Sequence, residues 1–419
     1  MQFSQVIGQK AIKQHLVDMI SNNRLSHALL FLGKEGSGAL SLARAFAQYT
    51  VCEKVRGTTE HRPLTTDAPS LFAESGKVES TGPVSSIPEP VFLNPHPVYF
   101  DSCGECRGCK KSSQLVHPDI HFSYPVVPRK PGDKPISTDY IKEWREFISA
   151  NPYGNVYDWL QFIGAENKQG NITALECLDI IRKVNLKSFE SEYKILIMWM
   201  PELLGKEGNK LLKLIEEPPP NTLFILVAEN DTLILPTILS RTQLIKIPRL
   251  STLEIEAALE LKEGISMQKA QQVAAISSGN YHEALQLLQH AEDDWEVFLR
   301  DWLNSIVKTG PAAQVKWIEE ISKIGREKQK QFLKYFVHVL ELAFRLRAIP
   351  AAAEEDRPDI DFALKFNKLC GISQQEAIVH ELDQAAYYIE RNANAKILFH
   401  ALTIKLYHII SNNSVILMQ

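Results

Sequence analysis

At 419 residues the chain is long enough for about three domains. Its 45% hydrophobic and 23% charged residues are ordinary for a globular protein and exclude a chain dominated by disorder. A formal net charge of −4 excludes a strong global pull onto nucleic acid or anionic membrane, so any DNA contact must come from a local patch or a partner.

The apolar run Ala28–Leu32 ends at Gly33 and reads as a buried strand entering a glycine-rich turn. Residues 39–49, ALSLARAFAQY, are rich in Ala and Leu with no breaker and read as a helix. Strand, turn and helix together open an α/β sheet. Residues 53–100 shift to Pro, Ser, Thr and Gly and read as a disordered insertion. A second irregular stretch is expected from about 125 to 170, with only YIKEWREFI offering a helix. Regular pattern resumes with a helix from Ile172 to Val184 and a strand over Lys194–Met200. A further helix is expected from Leu203 to Glu217, where Leu204, Leu211, Leu212 and Ile215 share one face. Pro218, Pro219 and Pro220 stop that helix, and the strand Thr222–Ala228 follows. From Ser251 every segment reads as amphipathic helix, in two blocks that divide near residue 290. The opening MQFSQVIGQK lacks a secretory pattern and no apolar run approaches the roughly 20 residues that span a bilayer, so a cytoplasmic protein is expected.

A working phosphate loop has the form GxxxxGK[ST]: backbone N–H groups cradle the phosphates, Lys neutralises them and the hydroxyl holds magnesium. Here Gly33, Gly36 and Gly38 remain, but Ala39 stands at the Lys position and Leu40 at the hydroxyl position. By itself this stretch is equally a plain strand-to-helix turn. The strand that should end in a magnesium-holding acidic pair ends instead in Trp199 and Met200. Three missing features together indicate a decayed nucleotide site in which hydrolysis is not expected.

Four of the six cysteines cluster. Cys103, Cys106 and Cys109 recur every third residue, with Gly104 and Gly108 between them, and Cys52 is the natural fourth ligand for one structural zinc. His61, His96 and His117 are alternative ligands without metal-like spacing, and Cys177 and Cys370 are expected to pack in helices.

Residues 208–219, GNKLLKLIEEPP, followed by TLFIL at 222–226 and PTILSR at 236–241, resemble the NALLKxLEEPP–xxFIL signature of the bacterial clamp-loader subunits of DNA polymerase III. The opening HALLFLG at 27–33 is similar too. The likeness covers the ordered parts of about residues 1–290 and is weak beyond, chiefly at Asn392–Lys396. Within that family this chain departs from the motor subunits at the phosphate-loop Lys and the acidic pair.

The resemblance implies an α/β plus all-α fold: a AAA+ parallel-sheet domain over 1–250 with an inserted zinc module at about 52–109, a helical lid over 251–290 and a helical collar over 291–419. It implies a hetero-pentamer with gamma/tau and delta subunits that places the sliding clamp on primed DNA. The family's SRC motif is Ser240-Arg241-Thr242 here, which implies that Arg241 reaches the neighbouring subunit's ATP site, a local helix-capping or pairing role being the alternative. His282 falls where the family has a nucleotide-sensing Arg, or is a plain surface His. Two other classes compete: an ATP-hydrolysing motor using Lys34 as a substitute cation, and a stand-alone zinc-containing DNA binder.

Overall fold

The computed structural model describes residues 1–59, 100–130, 132–165, 168–289, 295–348, 358–391 and 393–412. The chain divides into two compact units, one of residues 1–270 with 279–282, the other of 271–278 with 283–419.

The first unit begins with α1 (Lys10–Ser21), then β1 (Ala28–Gly33), α2 (Ala39–Thr50) and α3 (Glu53–Thr59). After the undescribed residues come α4 (Arg107–Ser113), β2 (Ile120–Ser123), α5 (Ile141–Ala150), α6 (Val156–Phe162), α7 (Ala174–Asn185) and β3 (Lys194–Trp199). A 3-10 stretch (Pro201–Leu211) leads to α8 (Leu212–Glu216), β4 (Thr222–Ala228), α9 (Pro236–Leu239), β5 (Gln243–Ile247) and α10 (Thr252–Glu263). The five strands form one parallel sheet in the order β2-β3-β4-β1-β5. Side chains alternate between its faces. Leu29, Phe31, Ile197, Ile225 and Ile245 pack against α1, α2 and α5, whereas Leu30, Leu196, Met198, Phe224 and Leu226 pack against α7 and the segment after β3. Strands buried on both faces explain the unbroken apolar runs in the sequence.

The helix expected from Leu203 to Glu217 is broken. Gly205 adopts φ 51°, ψ −139°, a conformation open to glycine and foreign to a helix, so a 3-10 stretch precedes the single α-helical turn-and-a-half of α8. Of the two expected insertions, the first begins later than residue 53, because Glu53–Thr59 forms α3; residues 60–99 lie outside the described residues. The stretch 125–170 is not an irregular insertion. Its Tyr140, Trp144, Phe147 and Trp159 are buried with Tyr124 and Trp199, and the Trp144 ring stacks on Tyr124 at 4.0 Å. All twelve residues of α2 are buried, and this stretch receives two of its polar side chains: the Ser41 hydroxyl donates to the Pro152 carbonyl at 2.6 Å and the Arg44 guanidinium to the Ile148 carbonyl at 2.9 Å. Ordering of the stretch follows from this cover, since α2 needs it to bury its polar residues with partners.

The boundary between units runs through α11 (Met267–Ile276) and α12 (Tyr281–Gln289). The second unit continues with α13 (Trp295–Asn304), a π-helical turn (Ser305–Thr309), α14 (Pro311–Ile321), α15 (Arg326–Ala348), α16 (Pro358–Leu369), α17 (Ile372–Glu390) and α18 (Ala395–Asn412). Its core joins Trp302, Trp317, Phe332, Phe336, Phe399 and Leu406, with the Trp302 and Trp317 rings stacked at 4.5 Å. Cys177 is buried within α7 as expected, whereas Cys370 is buried just past the end of α16 rather than inside it.

Candidate functional site

β1 delivers the chain to the carboxyl edge of a parallel sheet, the edge at which such sheets bind ligands. There Gly33 ends the strand and the loop turns back into α2, whose first residues are Ala39 and Leu40. Gly38 takes φ +83°, and a Cβ added there would lie 2.8 Å from Cε1 of Tyr153. The Tyr153 ring therefore sits on the loop. Its hydroxyl accepts the Ile7 N–H at 2.8 Å, and burial pushes that phenol up to about 12. Between the loop, Pro152, Tyr153 and the ends of β3 and β4 a cavity of about 30 Å³ remains, room for about one water molecule. Ala39 and Leu40 are both buried, with no cationic or hydroxyl group at either position.

Trp199, at the end of β3, is buried against the Trp144 ring at 5.3 Å. It faces an aromatic core rather than a magnesium site. A carboxylate does lie close by: Glu202 accepts the backbone N–H groups of Glu229 at 2.6 Å and Asn230 at 2.9 Å, and burial raises its pKa. Glu202 thus ties the segment after β3 to the end of β4. His282 is buried, with its Nε2 3.2 Å from Asp158, 3.8 Å from Glu35 and 3.4 Å from the Asn155 amide. The expected surface alternative for His282 does not hold.

Neither Tyr153 nor the partners Asn155 and Asp158 were expected from sequence. One signal was available. Asn155 and Asp158 form a reciprocal capping box at the start of α6, the N-x-x-D pattern just before VYDWL.

At the other end of α2, Cys52 and Cys109 are fully buried and Cys103 and Cys106 partly so. The four Sγ atoms all lie within 4.8 Å of one another, and Cys103 and Cys109 are 3.9 Å apart. Thiolates about 2.3 Å from a tetrahedral zinc stand about 3.8 Å apart. Backbone N–H groups already point at the sulfurs: Cys103 to Cys52 at 3.3 Å, and Cys106 to Cys103 and Cys109 to Cys106 at 3.4 Å each. Such donors stabilise thiolate charge, so this cluster could hold a metal ion. Within the cluster, a hydrogen bond with Cys109 holds the Cys52 thiol down at about 4, and the same contact pushes Cys109 upward. His117 is not part of it: its Nδ1 accepts the Asp119 N–H at 3.1 Å. His61 and His96 lie outside the described residues.

Arg241 follows α9 at the turn into β5, with its side chain about one-third exposed. Its Nε donates to Glu216 at 3.0 Å, and one terminal nitrogen donates to the Thr237 carbonyl at 3.0 Å. The local pairing weighed as the alternative is therefore present. An exposed pair of this kind contributes only about 0–1 kcal/mol and is easily exchanged.

Comparison with known proteins bears on this geometry. A family model described as "DNA polymerase III, delta subunit" matches residues 8–64 and 154–251, the stretches carrying the glycine loop, β3, β4 and Ser240-Arg241. A DNA polymerase III subunit delta' of Bacillus subtilis is 24% identical over 284 residues, which are 68% of this chain and 60% of that protein. The subunit tau of the same organism is 24% identical over 299 residues, 69% of this chain and 37% of that one. A solved gamma subunit-related protein of Thermotoga maritima aligns over 95% of this chain and 99% of its own at 12% identity with a TM-score of 0.33, too low to bear on the fold. The matched stretch spans less than two thirds of the curated relatives' length. Among the described residues, no helix is long and apolar enough to cross a membrane. With a parallel sheet flanked by helices, consistent with a AAA+ clamp-loader fold, the chain resembles the clamp-loader subunits of DNA polymerase III, the delta-prime subunits among them.

Proposed function

We propose that this chain is a delta-prime-like clamp-loader subunit that does not hydrolyse ATP and donates Arg241 to the ATP site of a neighbouring motor subunit. The observation that carries this reading is the loop itself: glycine geometry is kept, Ala39 and Leu40 supply no phosphate chemistry, and the Tyr153 ring lies against Gly38. A guanidinium placed on a transferring phosphoryl group is worth several powers of ten in rate. Arg241 suits this because it is partly exposed and held by a weak surface pair with Glu216 and a hydrogen bond to the Thr237 carbonyl.

In this reading the partners are gamma/tau and delta subunits in a hetero-pentamer that loads the sliding clamp on primed DNA in the cytoplasm. Residues 1–250 form the AAA+ domain, 251–290 the lid and 291–419 the collar. Cys52, Cys103, Cys106 and Cys109 hold one zinc, whose role is structural because four thiolates leave no open position for water. The matches to tau and gamma chains favour a second reading as a hydrolysing motor, which would need Lys34, beside the loop, to serve as the phosphate cation.

The test is the ATPase rate of motor subunits with clamp and primed DNA, alone and then assembled with this chain or its Arg241→Ala form. Stimulation lost by at least tenfold in the variant, with assembly intact by gel filtration, is the expected result. Equal rates for both forms would refute the trans role, and hydrolysis by this chain alone would favour the motor reading.

A further inference from the structure

We infer that Tyr153 and a polar cluster around the partly exposed Glu35 do for this chain what a bound nucleotide would otherwise do: they fasten the segment Gly279–His282 to the phosphate loop. The inference concerns the inside of one compact unit and would stand whatever assembly the chain joins.

Five contacts converge on the loop. The Glu35 carboxylate accepts from the Asn155 amide at 3.1 Å and the Asn280 amide at 3.5 Å, and lies 3.8 Å from His282 Nε2. The Tyr281 N–H donates to the Gly36 carbonyl at 3.3 Å. The Tyr153 ring meets the Tyr281 ring edge-on at 4.9 Å while covering Gly38. His282, buried at 7% exposure, adds Asp158 at 3.2 Å, so the stretch 152–158 and the segment 279–282 clasp the loop from two directions.

The chemistry of these groups differs from that of a nucleotide site. Phosphates would require cations and N–H donors, whereas here an anion, Glu35, stands in the loop and the donors come from amides and an imidazole. A carboxylate in that position repels phosphate and recruits amide donors instead. The buried members, Asn155, Asn280 and His282, hold one geometry when each is partnered and are costly to remove. The consequence is a segment whose attachment does not depend on nucleotide concentration.

Hydrogen exchange of the full-length protein tests this. The amides of residues 279–282 are predicted to exchange at the same rate with and without MgATP. They should exchange at least about tenfold faster in His282→Ala, while the β4 amides stay unchanged. His282→Gln, which keeps a donor and an acceptor near Asn155 and Asp158, should stay within about threefold of the parent. Should the alanine form not fold, Tyr153→Phe, which removes only the hydroxyl that accepts from Ile7, serves as the control for the ring's cover: the 279–282 amides should stay protected. MgATP slowing exchange of 279–282 in the parent would overturn the inference, as would unchanged exchange in His282→Ala or loss of protection in Tyr153→Phe.

Discussion

The two ends of α2 carry the molecule's two candidate sites, and they have fared in opposite ways. At the N-terminal end a glycine-rich loop, Gly33, Gly36 and Gly38, leads into Ala39 and Leu40, which carry no cation or hydroxyl, and the Tyr153 ring lies against Gly38. At the C-terminal end, where Cys52 follows the helix, all four donors of a metal site are present and face one another. One rigid, wholly buried helix joins them. The lesson is that glycines alone serve packing and turn geometry and do not identify a phosphate site, whereas four converging sulfurs offer a complete donor set.

Breaking the cysteine end should have the largest effect. Cys109→Ser is predicted to lower bound zinc from about one per chain to near zero by elemental analysis. It should cost several kcal/mol of stability, since binding of structural zinc is worth about 10–16 kcal/mol in small zinc domains. No zinc in the parent protein, with unfolding unchanged in the variant, would reduce the cluster to four thiols without a metal.

The stretch that covers α2 comes next. Trp144→Ala should cost about 3–5 kcal/mol in urea unfolding followed by tryptophan fluorescence, as for other buried aromatic truncations. A loss below 1 kcal/mol would mean that the stretch is only loosely laid on the sheet.

At the loop, Gly38→Ala forces a side chain into a positive-φ residue and against Tyr153, for a loss of about 1–3 kcal/mol. Part of that loss should vanish in the Tyr153→Ala background, with a coupling of about 0.5–2 kcal/mol in the double-mutant cycle. Strict additivity would show that the ring does not press on the loop.

Smallest is Arg241→Ala, predicted to change stability by less than about 1 kcal/mol because its partners Glu216 and Thr237 form a half-exposed local pair. A loss above 2 kcal/mol would make Arg241 a structural residue and weaken its proposed role across an interface.

The strands were legible because parallel strands buried on both faces are continuous apolar runs, as in Thr222–Ala228. The glycine turn between β1 and α2 was legible because its spacing is fixed by backbone geometry, and the cysteine cluster because three of its members recur at metal spacing. The break at Gly205 was not, since a lone glycine within a helical pattern is often tolerated. The order of 125–170 was hidden for a different reason. Its Pro, Gly and Asp residues read locally as loop, while Trp144 and Trp159 find their partners only through contacts with α2 and β3 that no local pattern reveals. Tyr153 was missed on the same ground: its function depends on lying over Gly38, far away in sequence.

The central proposal is that the glycine loop of this chain, with Ala39 and Leu40 in place of phosphate-handling groups and Tyr153 against Gly38, has no use for nucleotide. Titration calorimetry of purified full-length protein with MgATP tests it most directly. No saturable binding up to about 1 mM is predicted. Saturable binding with a Kd in the micromolar range would contradict the account and return the loop to the class of working nucleotide sites.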